Sequence, residues 1–318
     1  ALDHRDSASS RSRLATIIIS QRMAEPPYRA KLRGIERRRS PLKGADEGVA
    51  DRRADLRAQR HVANKAVVNR TDRRVAQDAP GAADADLIRR AGIAAQQFID
   101  HMGSVRYAEH LAQRQLKESG KTNYQQDAFF DALTLVRRDN GRLVADESSE
   151  KARPAIGFEI RPLLQTSGFS TLALILHPYY DQSFRFSPLD DEVVSGRRLR
   201  LVHFEHVKGA ESPTALRLRG RDYPLDLSGI IWLDPDSAAV VRVVALLSES
   251  LEDIGLRSLN CDVQYAPVAL PETPGAYWLP ESATIELRTP QQHWRNVHTY
   301  SNYRKYSVEV FVGTGETQ

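Results

Sequence analysis

The sequence predicts an α+β fold, an antiparallel sheet laid out as a meander with helices covering one face. Three observations predict it. Strand-like alternation dominates from Val105 onward, Asn140-Gly141 supplies a tight hairpin signal inside it, and a single amphipathic helical stripe precedes it. Composition sets the boundary of the folding unit. Residues 1–90 carry 21 Lys/Arg against 12 Asp/Glu and one aromatic, Tyr28, whereas the remainder carries 24 against 29 and holds the other 22 aromatics. A segment so poor in apolar surface does not repay the entropy of folding. Residues 1–85 are therefore expected to be disordered or not a native part of the protein, and residues 86–318 to form the domain.

The N-terminal segment shows no periodic face. Its clustered Arg admits an arm that meets phosphates, but acidic residues interleave throughout, and no nucleic-acid partner is expected. Leu14–Ile19 is the only apolar patch near the start and is shorter than the roughly 7–15 residues of a signal core, so no signal peptide is visible. No uninterrupted apolar run exceeds the five residues of Leu172–Leu176, far below the roughly 18 residues of a membrane span. The single cysteine, Cys261, allows neither an internal disulfide nor a thiolate zinc site.

Along the domain, Leu87, Ile88, Ala91, Ala94, Ala95, Phe98 and Met102 recur at a spacing of three to four and form one helical stripe. Asp84 or Asp86 is its expected cap and Gly103 its stop. Strands are then expected over 105–116 and 123–138, joined by a polar link. A second helix is expected over Phe169–Tyr180, with Ser167 or Ser170 as cap and Pro178 near its end. Further strands are expected at 182–186, 197–207, 215–220, 228–234, 239–247, 259–268, 277–280, 283–289 and 305–312, with turns at Gly196, Asp234-Pro235-Asp236 and 271–274.

Several motifs invite chemistry and yield to plainer readings. Gly120-Lys121-Thr122 matches the end of a phosphate loop, but Gln115 stands where its first glycine belongs and polar residues flank it, so a hairpin turn is expected. In His203-Phe204-Glu205-His206 the strand alternation puts His203 and Glu205 on one face and His206 on the other. The two histidines cannot chelate together, which leaves a His203/Glu205 pair with a distant third ligand beside a solvated strand edge. His177, Tyr179, Tyr180, Asp181 and His298 could do acid/base work, yet no nucleophile pattern lies beside them and packing is the default. Cys261 alternates with Leu259 and Val263 on an apolar strand face. No catalytic residue, cofactor or metal is expected.

Four stretches carry a resemblance. GIIWLDPDSAAVVRVVA (229–245) is similar to a hairpin of LolA/LolB-type lipoprotein-binding folds and of the related RseB-type sensor domain. VQYAPV with YWLPESATIEL (263–287), HTYSNYRKYSVEV (298–310) and GFSTLALILHPYYDQSFRF (168–186) resemble a group of uncharacterised exported bacterial proteins. The resemblance covers about residues 93–312. It implies a strongly curved half-barrel, a periplasmic setting and action by holding acyl chains rather than by catalysis.

The concave face of such a sheet must be filled by its own helices or by a ligand. Candidates for lining it are Leu172, Leu174, Leu176, Phe184, Phe186, Trp232, Val241, Val243 and Trp278, which otherwise serve simply as core. The leading functional expectation is a non-enzymatic cell-envelope protein that binds a lipid or the acyl chain of a lipoprotein. The alternative is an envelope protein-interaction or sensor domain with a filled core.

Overall fold

The computed structural model describes residues 15–19, 80–102, 104–139, 142–151, 164–218, 221–271 and 275–305. All of them belong to one compact unit, residues 1–20 with 78–318; a second unit, 21–77, lies outside the described residues. Most of the expected 1–85 segment is likewise outside them, but Ala15–Ile19 forms strand β1.

Helix α1 spans Ala82–Met102, starting before the expected cap. Asp84 lies inside its first turn, where Arg200 binds it through Nε and Nη2 at 2.7 and 2.8 Å. Leu87 and Ala91 of the predicted stripe are buried. Three long strands follow: β2 (Ser104–Leu116), β3 (Thr122–Asp139) and β4 (Arg142–Lys151). The Gly-Lys-Thr motif is the β2–β3 turn: Gly120 has φ +77°, and Lys117 N–H donates to the Lys121 carbonyl at 2.8 Å. Asp139 pairs with Arg142, which leaves the two-residue connection that Asn140-Gly141 implied, although those residues lie outside the described ones.

Strand β5 (Leu164–Ser167) leads through Gly168 into the stretch expected to be a second helix. It is helical there as two 3-10 segments, η1 (Phe169–Leu176) and η2 (Pro178–Tyr180). Two local causes shorten the helix. The N–H of Ala173 donates to the Tyr265 hydroxyl at 2.9 Å rather than extending a ladder, and Pro178 supplies no donor.

The remaining strands are β6 (Phe184–Pro188), β7 (Glu192–Val194), β8 (Arg197–His206), β9 (Thr214–Leu218), β10 (Arg221–Pro224), β11 (Leu227–Leu233), β12 (Val240–Leu247), β13 (Ser258–Ala269), β14 (Ala276–Arg288) and β15 (His293–Lys305). The two strands expected at 277–280 and 283–289 are one, β14. It tolerates Pro280 because the ladder with β13 shifts register there, Gln264 facing Ser282 and Tyr265 facing Pro280. The terminal strand is His293–Lys305; apart from Lys305, the expected 305–312 stretch lies outside the described residues.

The large sheet runs β4-β3-β2-β15-β14-β13-β12-β11-β8-β6, with β7 also pairing β8, and every pair in it is antiparallel. Twist accumulated over so many strands, with bulges in several ladders, curls the sheet. Among the described residues it does not close, because β4 and β6 stand at opposite edges. The result is an open half-barrel of the type the sequence resemblance implies. A smaller sheet, β10-β9-β1-β5, places β1 parallel to β9 and antiparallel to β5.

Candidate functional site

The two faces of the half-barrel differ in chemistry. Cross-strand pairing puts Phe204, Gly229, Ala245, Cys261, Ile285, Asn296 and Gln113 in one transverse row, and Val202, Ile231, Val243, Val263, Ala283, His298 and Leu111 in the next. These rows belong to the face covered by η1 and β5, here called the inner face. On the opposite face over β12–β15, charged groups pair with one another. Arg242 holds Asp262 at 2.8 and 2.7 Å, and Arg295 holds Glu286 at 3.1 and 2.8 Å.

The inner face divides into an apolar and a polar zone. Over β12, β13 and β14 it is apolar, and η1 lies against it with α1 on its other side. Phe169, Leu172, Leu174, Ile175 and Leu176 are all buried in that position. Helix α1 comes close because residue 92 is glycine: a Cβ there would stand 2.7 Å from the Leu176 carbonyl oxygen. Cys261 is buried in this zone with Leu259 and Val263, and burial pushes its thiol well above the ordinary range. Burial also raises the Tyr265 phenol, whose oxygen accepts from Ala173.

Over β2, β3 and β15 the inner face is polar yet buried. Gln113 Nε2 donates to the Leu164 carbonyl at 2.7 Å and to Asn296 Oδ1 at 2.9 Å, and Gln126 Nε2 donates to Gln113 Oε1 at 2.9 Å. Asn296 Nδ2 donates to the same Leu164 carbonyl at 3.0 Å and to Thr166 Oγ1 at 2.9 Å. Thr166 Oγ1 is 2.7 Å from His298 Nε2, and His298 Nδ1 bonds Glu109. Strand β5 is thus clamped to the sheet through its backbone and one hydroxyl.

The nine expected lining residues are not all gathered on this face. Leu172, Leu174 and Leu176 are on η1, and Val243 lies on the inner face of β12. Phe184 and Phe186 share the inner face at the β6 edge, where the Phe184 ring meets those of Phe204 and His206. Trp278, half-buried, continues the inner face of β14 beyond the bulge, with the Arg197 guanidinium 5.5 Å from its ring centroid. Val241 is the extra residue at the β11–β12 bulge. Trp232 does not join them. It pairs with Arg242 on the opposite face, where that guanidinium stacks at 4.9 Å and Glu192 accepts its indole N–H at 3.1 Å.

The histidines sort by their partners. His206 and His203 lie on opposite faces of β8; His206 Nδ1 is 2.9 Å from Asp226 Oδ1, and burial lowers His203. His177 accepts from Tyr179 N–H at 2.9 Å and so caps η2. Among the described residues no group of three His, Cys, Asp or Glu is placed to hold a metal ion.

Sequence reading missed Glu109, Gln113, Gln126, Thr166 and Asn296. The available signal was polar residues at inward positions of alternating strands: Glu109 and Gln113 share parity with Tyr107 and Leu111, and Asn296 with Trp294 and Tyr300.

Neither a family model nor a curated protein matches the chain. Among solved structures it is similar to a DUF1329 family protein from Desulfovibrio piger, at 12% identity and a TM-score of 0.38 over 72% of this chain and 94% of that one. A putative outer membrane lipoprotein-sorting protein domain from Vibrio parahaemolyticus matches at 11% identity and 0.37 over 72% and 94%. A LolA superfamily protein from Nitrosomonas europaea matches at 10% and 0.34 over 70% and 94%.

Proposed function

We propose that this chain is a periplasmic binding protein that holds a lipid, or the acyl chain of a lipoprotein, on the apolar zone of its inner face. The observation that carries the reading is η1. This eight-residue segment is apolar on its buried positions, has no side-chain cap at Gly168, and occupies the trough that a chain would fill.

Magnitudes select the ligand class. Baring the five buried side chains of η1 costs about 1.5–3 kcal/mol each, hence roughly 8–15 kcal/mol together. Burying methylenes returns about 0.8 kcal/mol apiece, so roughly 10–19 of them are needed to offset the displacement. That is one long acyl chain; a short one leaves η1 in place.

Native mass spectrometry of the purified protein tests this, with retained lipid or binding of a fluorescent long-chain fatty acid as the expected result. Leu174→Glu should abolish both, because a carboxylate in an apolar trough is costly to desolvate. The β5 clamp favours a second reading, an interaction domain whose inner face stays filled and whose partner adds to an open strand edge. A lipid-free protein that ignores the probe while a pull-down recovers an envelope partner would establish that alternative.

A further inference from the structure

Thr166, His298 and Glu109 form a chain of hydrogen bonds that holding an acyl chain does not use. The proton positions follow from elementary chemistry. A Glu109 carboxylate only accepts, so Nδ1 of His298 carries a hydrogen; in the neutral ring Nε2 then presents its lone pair, to which the Thr166 hydroxyl donates. Hydroxyl, imidazole and carboxylate then stand in the order that activates an alcohol as a nucleophile. Asn296 Nδ2, 2.9 Å from Thr166 Oγ1, adds an amide donor beside the attacking oxygen.

Two features argue that more than clamping is involved. The Leu164 carbonyl already receives two amide donors, so β5 is anchored without the imidazole. The buried His298–Glu109 pair is also weak evidence of a stabilising role, since apolar residues of similar volume often serve a fold as well.

The position fits as well. His298 faces Ala283 of the apolar zone on one side and Leu111 on the other, which places it at the seam between the zones. Thr166 precedes by two residues Gly168, the left-handed residue (φ +72°) from which η1 departs. Thr166 is only 7% exposed, so a substrate reaches it only when η1, which begins three residues later, moves aside.

We propose that Thr166, His298 and Glu109 form an acyl-transfer site for an ester-linked long chain, an activity that rests on the acyl-holding reading and goes beyond it. Thr166 Oγ1 bonds to the ester carbonyl carbon and passes its proton to His298 Nε2. The bond from that carbon to the alcohol oxygen breaks, and Nε2 returns the proton to the departing alcohol. Water then attacks the acyl-threonine, gives a proton to Nε2, and releases the free acid as Thr166 recovers its hydrogen. Glu109 is a positioning residue that fixes the imidazole tautomer.

The test uses the full chain with p-nitrophenyl esters of acetate and of a long-chain acid, following p-nitrophenolate release and intact mass. The expected result is an acyl adduct on Thr166 and a preference for the long ester. Thr166→Ala and His298→Ala should each lower release by at least about 100-fold, and Thr166→Ser should restore it. Glu109→Gln should lower kcat while KM holds, which a purely packing role would not produce. The wild-type protein is assayed in parallel with the fluorescent fatty acid. Probe binding without ester cleavage, an adduct at another residue, or undiminished release from a folded Thr166→Ala protein overturns the acyl-transfer site and spares the holding function. Failure to bind the probe overturns the holding function itself.

Discussion

Gly92→Ala offers a substitution whose sign depends on packing. On the surface of an ordinary helix the change gains about 1 kcal/mol, because alanine restricts the unfolded chain and favours helix. Here the new methyl stands 2.7 Å from the Leu176 carbonyl oxygen, whereas ordinary contact begins at 3.4 Å, so about 0.7 Å must be found. The surroundings yield little of it. Arg200 grips Asp84 near the start of α1, Arg90 Nη2 donates to the Pro235 carbonyl at 3.0 Å, and η1 hangs from the Tyr265 hydroxyl. Overpacking of this kind costs about 1–3 kcal/mol, so the net change is a loss of about 1 kcal/mol. Urea unfolding monitored by tryptophan fluorescence measures it, with a lower midpoint and unchanged slope expected. The displaced partner is η1, so affinity for a long-chain fatty acid should rise as its trough is more readily bared. A stability gain of about 1 kcal/mol, helix propensity acting alone, would refute the packing of α1 on η1.

Trp232→Ala should cost about 3–5 kcal/mol, since it removes a buried ring that Arg242 stacks on and Glu192 hydrogen-bonds; an unchanged unfolding midpoint would refute its burial. Acid should destabilise the fold in two steps. Burial lowers His203 despite the opposite pull of Glu205, so its contribution is complete above the ordinary 6.5 and is lost as pH falls through its folded value. Burial pushes Glu286 up, but bonds from Arg295 and His293 outweigh that and leave it below 4.5, so a second loss begins beneath the ordinary carboxylate range. Urea midpoints measured against pH should show both steps, with His203→Gln flattening only the upper one; stability that rises on acidification contradicts both.

The pattern of the sheet was legible because alternation is a local property. Val105 to Leu116 and Leu259 to Val263 announce a buried face without knowledge of their partners. The 3-10 geometry of η1 was not legible, since the hydroxyl that intercepts its backbone comes from Tyr265, 92 residues away. Trp232 misled for a related reason. Strand β11 is buried on both faces, so an apolar residue there does not reveal which face it serves. The chain from Thr166 to His298 to Glu109 lay furthest from reach, because its members stand 132 and 189 residues apart and meet only once β5 crosses the sheet.

The pairing of β2 with β15 has a consequence for how the chain assembles. His293 meets Leu116 and Lys305 meets Val105, so the sheet is two sequence-local meanders joined along one ladder by the last described strand. During synthesis β2, β3 and β4 are made early and leave the long edge of β2 unpaired until residues near 300 follow. Such non-local closure slows folding, and an open strand edge invites association between chains while it lasts. The chain is thus most open to association before β15 is made, and truncation before His293 should divide one sheet into two incomplete ones.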